Sequence, residues 1–158
     1  MFNLFKKVVE CEVYSPVIGK MIPLDDVPDP VFSEKMMGEG CAFGFEGDTV
    51  YAPCNGEIIL IANTYHAFGI KAENGAEILI HIGLDTVNLN GKGFEVLVKE
   101  HTKVKAHDPL VRIDREFMKE NKIDLTMPMV ITSSDYEIEL DEYGEKELSN
   151  RVLKVKKK

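Results

Sequence analysis

The chain has 158 residues, 44% of them apolar, and a formal net charge of −8 from 27 acidic against 19 basic side chains. That content suffices for one globular domain and hardly for two, and the acidic balance argues against nucleic acid as the main partner, because phosphate backbones are gripped by clustered Lys and Arg. No apolar run approaches the roughly 20 residues needed to span a bilayer, and the start lacks a secretory signal's apolar core and small-residue cleavage site, so a cytoplasmic protein without a transmembrane segment is expected.

In chain order, residues 1–10 form a short N-terminal segment. Its start, Met1-Phe2-Asn3-Leu4-Phe5-Lys6-Lys7, is apolar and basic, a character that permits weak interfacial binding but is too short for a good membrane anchor. Beyond it, short segments rich in Ile and Val alternate with turn residues at close intervals, the pattern of an all-β sandwich or barrel. Strands are expected at Glu12–Tyr14, Lys20–Pro23, Cys41–Glu46, Asp48–Tyr51, Gly56–Ile61, Ala67–Ala72, Glu77–Ile82, Leu110–Asp114 and Pro128–Ser133. Glu46-Gly47-Asp48, Asn55-Gly56 and Asn74-Gly75 supply residues that tolerate positive φ, as tight turns require. Asp25 to Pro30, with two prolines among three aspartates, cannot continue a central strand and is expected to be an ordered loop that delivers Val31 and Phe32. One or two short helical turns are expected, the clearest at Arg115–Lys122, where Phe117 and Met118 face inward while Glu116, Lys119 and Glu120 face water. Lys154–Lys158 reads as a basic C-terminal tail, solvated and frayed. Cys11, Cys41 and Cys54 form no CxxC pair and read as reduced, half-buried filler rather than a disulfide framework or zinc site.

Chemistry concentrates at two histidines. His66 sits in Thr64-Tyr65-His66-Ala67-Phe68, just after an apolar strand, with a hydroxyl two residues upstream. His81 lies in the alternating run Glu77-Ile78-Leu79-Ile80-His81-Ile82-Gly83, on the face of Leu79 and Gly83 and opposite Ile78, Ile80 and Ile82. With the isoleucines in the core, His81 faces out. A lone strand histidine is more often structural than functional. Adjacent pairing of the two strands would bring both imidazoles to one surface, a juxtaposition that spacing alone leaves open.

Several stretches together carry a family resemblance: Val27-Pro28-Asp29-Pro30-Val31-Phe32-Ser33-Glu34-Lys35-Met36-Met37-Gly38-Glu39-Gly40, Ala52-Pro53-Cys54-Asn55-Gly56, Thr64-Tyr65-His66-Ala67-Phe68, and His81-Ile82-Gly83-Leu84-Asp85-Thr86-Val87-Asn88-Leu89 followed by Gly91-Lys92-Gly93-Phe94. In order and spacing, from about Ser15 to Lys154, the chain resembles the glucose-family IIA proteins of the phosphoenolpyruvate-dependent sugar phosphotransferase system. The resemblance implies a single-domain antiparallel β-sandwich or barrel built on a duplicated hybrid motif, spanning residues 1–158. It implies a phosphotransferase that takes a phosphoryl group from the phosphohistidine of HPr and passes it to the IIB domain of a glucose-type sugar permease.

By motif position, His81 matches the phosphoryl acceptor, expected to use Nε2 while Nδ1–H donates to a backbone carbonyl near Gly83. His66 matches the assisting histidine, oriented by the Thr64 hydroxyl. Such roles are chemically reasonable, because an acceptor needs one unprotonated ring nitrogen and phosphoryl transfer is mainly positioning plus electrostatic stabilisation. No metal or other cofactor is required beyond the transient phosphoryl group on His81. Asp29 and Asp85 match carboxylates that engage an arginine of HPr. Val31, Phe32, Met36, Met37, Phe68, Leu79 and Val87 match an apolar rim for transient docking, the two methionines lending adaptability. Core burial of Met36 and Met37 is the alternative. Ala62 and Leu79 stand where many relatives carry phenylalanine, which implies a shallower rim.

Three rival classes compete with this reading. A zinc-dependent hydrolase of related hybrid-motif fold would use the His81-x-x-x-Asp85 spacing, but no His-x-His segment exists, and His101 and His107 lie in a hydrophilic stretch where solvation is expected. Zinc at His66 and His81 would have two ligands only, and completing it needs a partner's carboxylate. A biotinyl or lipoyl carrier is suggested by Val104-Lys105-Ala106-His107-Asp108-Pro109-Leu110, which lacks the modifiable lysine in its turn position. A regulatory protein that binds enzymes or transporters would coexist with carrier activity.

Overall fold

The computed structural model describes residues 9–158, so the reading of Met1 to Lys7 as an interfacial segment lies outside the described residues. The strands are β1 (Glu10–Tyr14), β2 (Gly19–Pro23), β3 (Glu39–Phe45), β4 (Thr49–Tyr51), β5 (Gly56–Ile61), β6 (Ala67–Ala72), β7 (Glu77–His81), β8 (Phe94–Val96), β9 (Lys103–Val104), β10 (Pro109–Ile113), β11 (Met127–Ile131), β12 (Tyr136–Leu140), β13 (Gly144–Lys146) and β14 (Arg151–Lys157). All nine strands expected from the sequence are present, with ends within two residues. They form three antiparallel sheets: one of eight strands in the order β13-β2-β3-β11-β7-β6-β5-β9, and two of three, β1-β14-β12 and β4-β10-β8. None closes on itself, so the architecture is an open sandwich rather than a barrel.

Among the described residues, helical structure is confined to four short segments: α1 (Pro30–Ser33), α2 (Arg115–Glu120) and the 3₁₀ turns Leu24–Asp26 and Thr86–Leu89. The aspartate- and proline-rich stretch supplies two of them. Asp29 caps α1 by accepting from the Val31 N–H, and Pro30 occupies the first helical position, where its missing N–H costs nothing. In α2, Asp114 accepts from the Phe117 N–H and Met118 is buried, as the sequence pattern requires.

The large sheet is apolar on both faces, and strand alternation sorts its residues. Phe43, Phe68, Ile70, Ile78, Ile80, Met127 and Met129 point into the main core, where they meet Val50, Leu110 and Val111 of one small sheet and Val13, Leu153 and Val155 of the other. Ala42, Ala67, Leu79 and Val130 point the opposite way, into a smaller cluster closed by Leu24, Val27, Phe32 and Leu84. The outer face of β7 therefore looks into a second, local core roofed by α1 and its flanking loop.

The frayed C-terminal tail expected at Lys154–Lys158 is corrected. Residues Arg151–Lys157 form β14, the middle strand of its sheet, with Val152, Leu153 and Val155 fully buried. Its lysines face outward between two rows of carboxylates: Lys154 is opposite Glu12 and Glu139, and Lys156 opposite Glu10 and Glu137. Each exposed cross-strand pair is worth at most about 1 kcal/mol, so the buried Val and Leu side chains, not the charges, hold the strand. Asn74, in the turn between β6 and β7, staples this sheet to the large one. Its side chain donates to the carbonyls of Val9 and Val155 and accepts from the Ala76 N–H.

Candidate functional site

The β6–β7 hairpin sets the spacing of the two histidines. Ala67 lies opposite His81, and the Ile82 N–H donates to the His66 carbonyl at 2.7 Å. Both imidazoles thereby reach the same end of the sheet, on the face of the smaller apolar cluster. Their ring centroids are 4.9 Å apart and the planes nearly perpendicular, at 73°.

Each ring is held by a separate contact. His81 Nδ1 lies 2.8 Å from the Gly83 carbonyl oxygen, which can only accept; Nδ1 therefore carries the proton and Nε2 keeps its lone pair. Gly83 adopts a left-handed φ of +81°, and a Cβ there would meet Thr86 Cγ2 at 2.5 Å and the Asp124 carbonyl oxygen at 3.0 Å, so no larger residue presents the carbonyl this way. Thr86, fully buried, donates its hydroxyl to the Ile82 carbonyl. Sequence reasoning gave Thr86 no role beyond its place in the motif, and nothing local distinguishes its hydroxyl from the neighbouring polar side chains Asp85 and Asn88. His66 Nδ1 sits 2.5 Å from the Thr64 hydroxyl, which orients the ring in either tautomer because a hydroxyl both donates and accepts. Phe32 closes the other side of His81, its ring 5.0 Å away and tilted by 58°.

Burial pushes the His81 pKa below its ordinary 6.5, against the opposing pull of the Gly83 hydrogen bond and the charges of Asp29 and Asp85. His66 is lowered too, first by burial and then by His81. Both rings are neutral at neutral pH. Asp29 reaches the site from the cap of α1, and Asp85 is exposed on the loop after β7 with φ +58°.

The expected rim divides. Val31, Met36, Met37 and Val87 are exposed, Met36 by 70% and Val87 by 49%, so the methionines are not core. Phe32 and Leu79 are only 3% and 9% exposed and belong to the smaller apolar cluster beneath the site rather than to its rim. Phe68 is a correction: it lies opposite Ile80, points into the main core and is 0% exposed, because the residue facing the site in that register is Ala67. His101 and His107 are exposed on the turns flanking β9. Among the described residues, no group of three or more His, Cys, Asp or Glu could hold a metal ion. The three cysteines are free; Cys41 and Cys54 are more buried than expected, and burial pushes both thiols up to about 12, which leaves them unreactive. No described helix is long and apolar enough to cross a membrane.

Residues 11–136 match the profile of the family described as phosphoenolpyruvate-dependent sugar phosphotransferase system, EIIA 1. The chain belongs to that family. Relatives named glucose-specific EIIA component are 46% identical in Staphylococcus epidermidis, over 84% of this chain and 82% of that protein, and 43% identical in Staphylococcus aureus, over 90% and 83%. Glucose permease IIA from Mycoplasma capricolum superposes with a TM-score of 0.86 at 36% identity, covering 95% of this chain and 97% of that one. As an EIIA protein the chain is a phosphoryl carrier of the sugar phosphotransferase system, whose partners are HPr and a IIB domain. The hydrolase reading is not favoured.

Proposed function

We propose that residues 1–158 act as one cytoplasmic glucose-type EIIA domain in which His81 Nε2 accepts the phosphoryl group and His66 assists its departure. One observation carries this reading above the rest: the hydrogen bond from His81 Nδ1–H to the Gly83 carbonyl, which leaves Nε2 unprotonated. In the forward step the Nε2 lone pair attacks the phosphorus of HPr's phosphohistidine. A new N–P bond forms as the donor's N–P bond breaks, and its electron pair returns to the donor imidazole. In the onward step a nucleophile of the IIB domain attacks the same phosphorus, and the electron pair returns to Nε2. His66, held by Thr64, donates to the phosphoryl oxygens as charge redistributes.

Val31, Met36, Met37 and Val87 supply adaptable apolar contact above the smaller cluster that holds Phe32 and Leu79, and Asp29 and Asp85 offer carboxylates to a cation on HPr. The same face would serve regulatory binding of enzymes or transporters. Two imidazoles make half of a tetrahedral zinc set, so any zinc at His66 and His81 is completed by a partner's carboxylate.

Intact-mass analysis after mixing the chain with phosphoenolpyruvate, enzyme I and HPr tests the proposal. One HPr-dependent phosphoryl group, located at His81 by fragmentation under non-acidic conditions, is the expected result; none, with active helper proteins, refutes it. A pH series follows from the lowered His81 pKa. Acceptance depends on the neutral ring, so its single-turnover rate is expected to stay level through neutral pH and fall only below the ordinary histidine value of 6.5. A decline beginning above that value contradicts a buried, neutral acceptor.

A further inference from the structure

Two loops converge on the imidazole pair: residues 62–66, between β5 and β6, and residues 82–93, between β7 and β8. At the histidine end the Ile82 N–H to His66 carbonyl bond joins them. Farther out, the Tyr65 ring lies on Gly91. A Cβ on Gly91 would stand 3.1 Å from Tyr65 Cδ2 and 3.4 Å from Cε2, and Gly91 itself has φ +86°. Another residue at Gly91 would be strained by the left-handed backbone and would crowd the Tyr65 ring. Tyr65 is left-handed as well, with φ +59°, a strained state for an aromatic residue, and its N–H donates to the Ala62 carbonyl. Tyr65 is 42% exposed, so core burial does not explain why an aromatic occupies this position.

We infer that Tyr65 is a positioning residue for the phosphoryl-transfer pair: seated on Gly91, its ring clamps the loop carrying Thr64 and His66 to the loop carrying Gly83, Asp85 and Val87, and so fixes the separation of the two imidazoles. This rests on the proposed roles of His81 and His66. The clamp acts on the two rings unequally. His81 is held independently by Gly83 and Phe32. His66 is held by Thr64, which adjoins Tyr65 in the same turn, so loss of the ring leaves the Ile82 N–H to His66 carbonyl bond in place but loosens the Thr64 end that orients the imidazole.

The test uses the full chain with Tyr65→Asn, which tolerates the left-handed backbone but lacks the ring, and Tyr65→Phe, which keeps it. Both imidazoles are titrated by nitrogen NMR, and single-turnover rates are measured for acceptance from phospho-HPr and donation to the IIB domain. In Tyr65→Asn, donation is expected to fall by about tenfold while acceptance stays near wild type, since small misplacements of a catalytic group cost that much or more. His66 is expected to titrate higher, toward 6.5, as the burial that depresses it is relieved. Tyr65→Phe should match wild type in every measurement. Wild-type titration of His66 in Tyr65→Asn overturns the clamp whatever the donation rate, because the ring would then touch the partner rather than the loop. Equal losses of acceptance and donation, or a defect in Tyr65→Phe, overturn it too. Absence of phosphoryl transfer to His81 in the wild type refutes the proposed function instead, while the His66 titration still decides whether the clamp exists.

Discussion

Chains carrying His81→Gln are expected to take no phosphoryl group from phospho-HPr. The carboxamide approximates the imidazole in length, with its nitrogen at about the reach of Nε2, but that nitrogen holds no basic lone pair, so the nucleophile itself is removed. The effect is a loss rather than a slowing, because His66 sits on its own turn tied to Thr64 and not in the position Nε2 of His81 occupies. Intact mass under non-acidic conditions reads the result, with circular dichroism to confirm an unchanged fold. Phosphoryl addition at His66 in this variant would move the acceptor from one histidine to the other.

His66→Gln separates the two rings' tasks. Acceptance should persist, because the Gly83 hydrogen bond and the Phe32 contact, which fix the tautomer and position of His81, are both independent of His66. Removal of one ionisable neighbour from His81 does not protonate it. Onward donation should fall by about a hundredfold or more, the usual contribution of a positioned proton donor in group transfer. Chase of the phosphorylated variant with a IIB domain measures this directly, as the lifetime of the phosphoryl group on His81. Complete loss of acceptance in both variants would contradict the division of labour, since it would make the pair a single unit.

Much of this site was legible before any coordinates, and the reason is periodicity. Three isoleucines at alternate positions around His81 are enough to put the histidine on the opposite face, and Ile78, Ile80 and Ile82 do enter the main core. The turn dipeptides and proline positions delimited the strands closely. Other alternating runs were equally present and went unread. Tyr136-Glu137-Ile138-Glu139-Leu140 alternates cleanly and forms β12. Leu153-Lys154-Val155-Lys156 alternates too, but its lysines look like a solvated tail until β1 and β12 set glutamates against them.

By itself, then, the sequence determined an acidic, antiparallel β protein, the family motifs around His66 and His81, and the face that His81 occupies, because strand alternation is a local property of the backbone. Tertiary structure alone decided three things. It brought His66 and His81 to a ring separation of 4.9 Å, through a hairpin register that pairs Ala67 with His81. It buried Phe68 and left Met36 and Val87 at the surface, because side-chain exposure depends on which elements cover each face. It packed the Asp124 carbonyl, far along the chain, against Gly83, a contact that no local pattern encodes and that adds to the local crowding by Thr86.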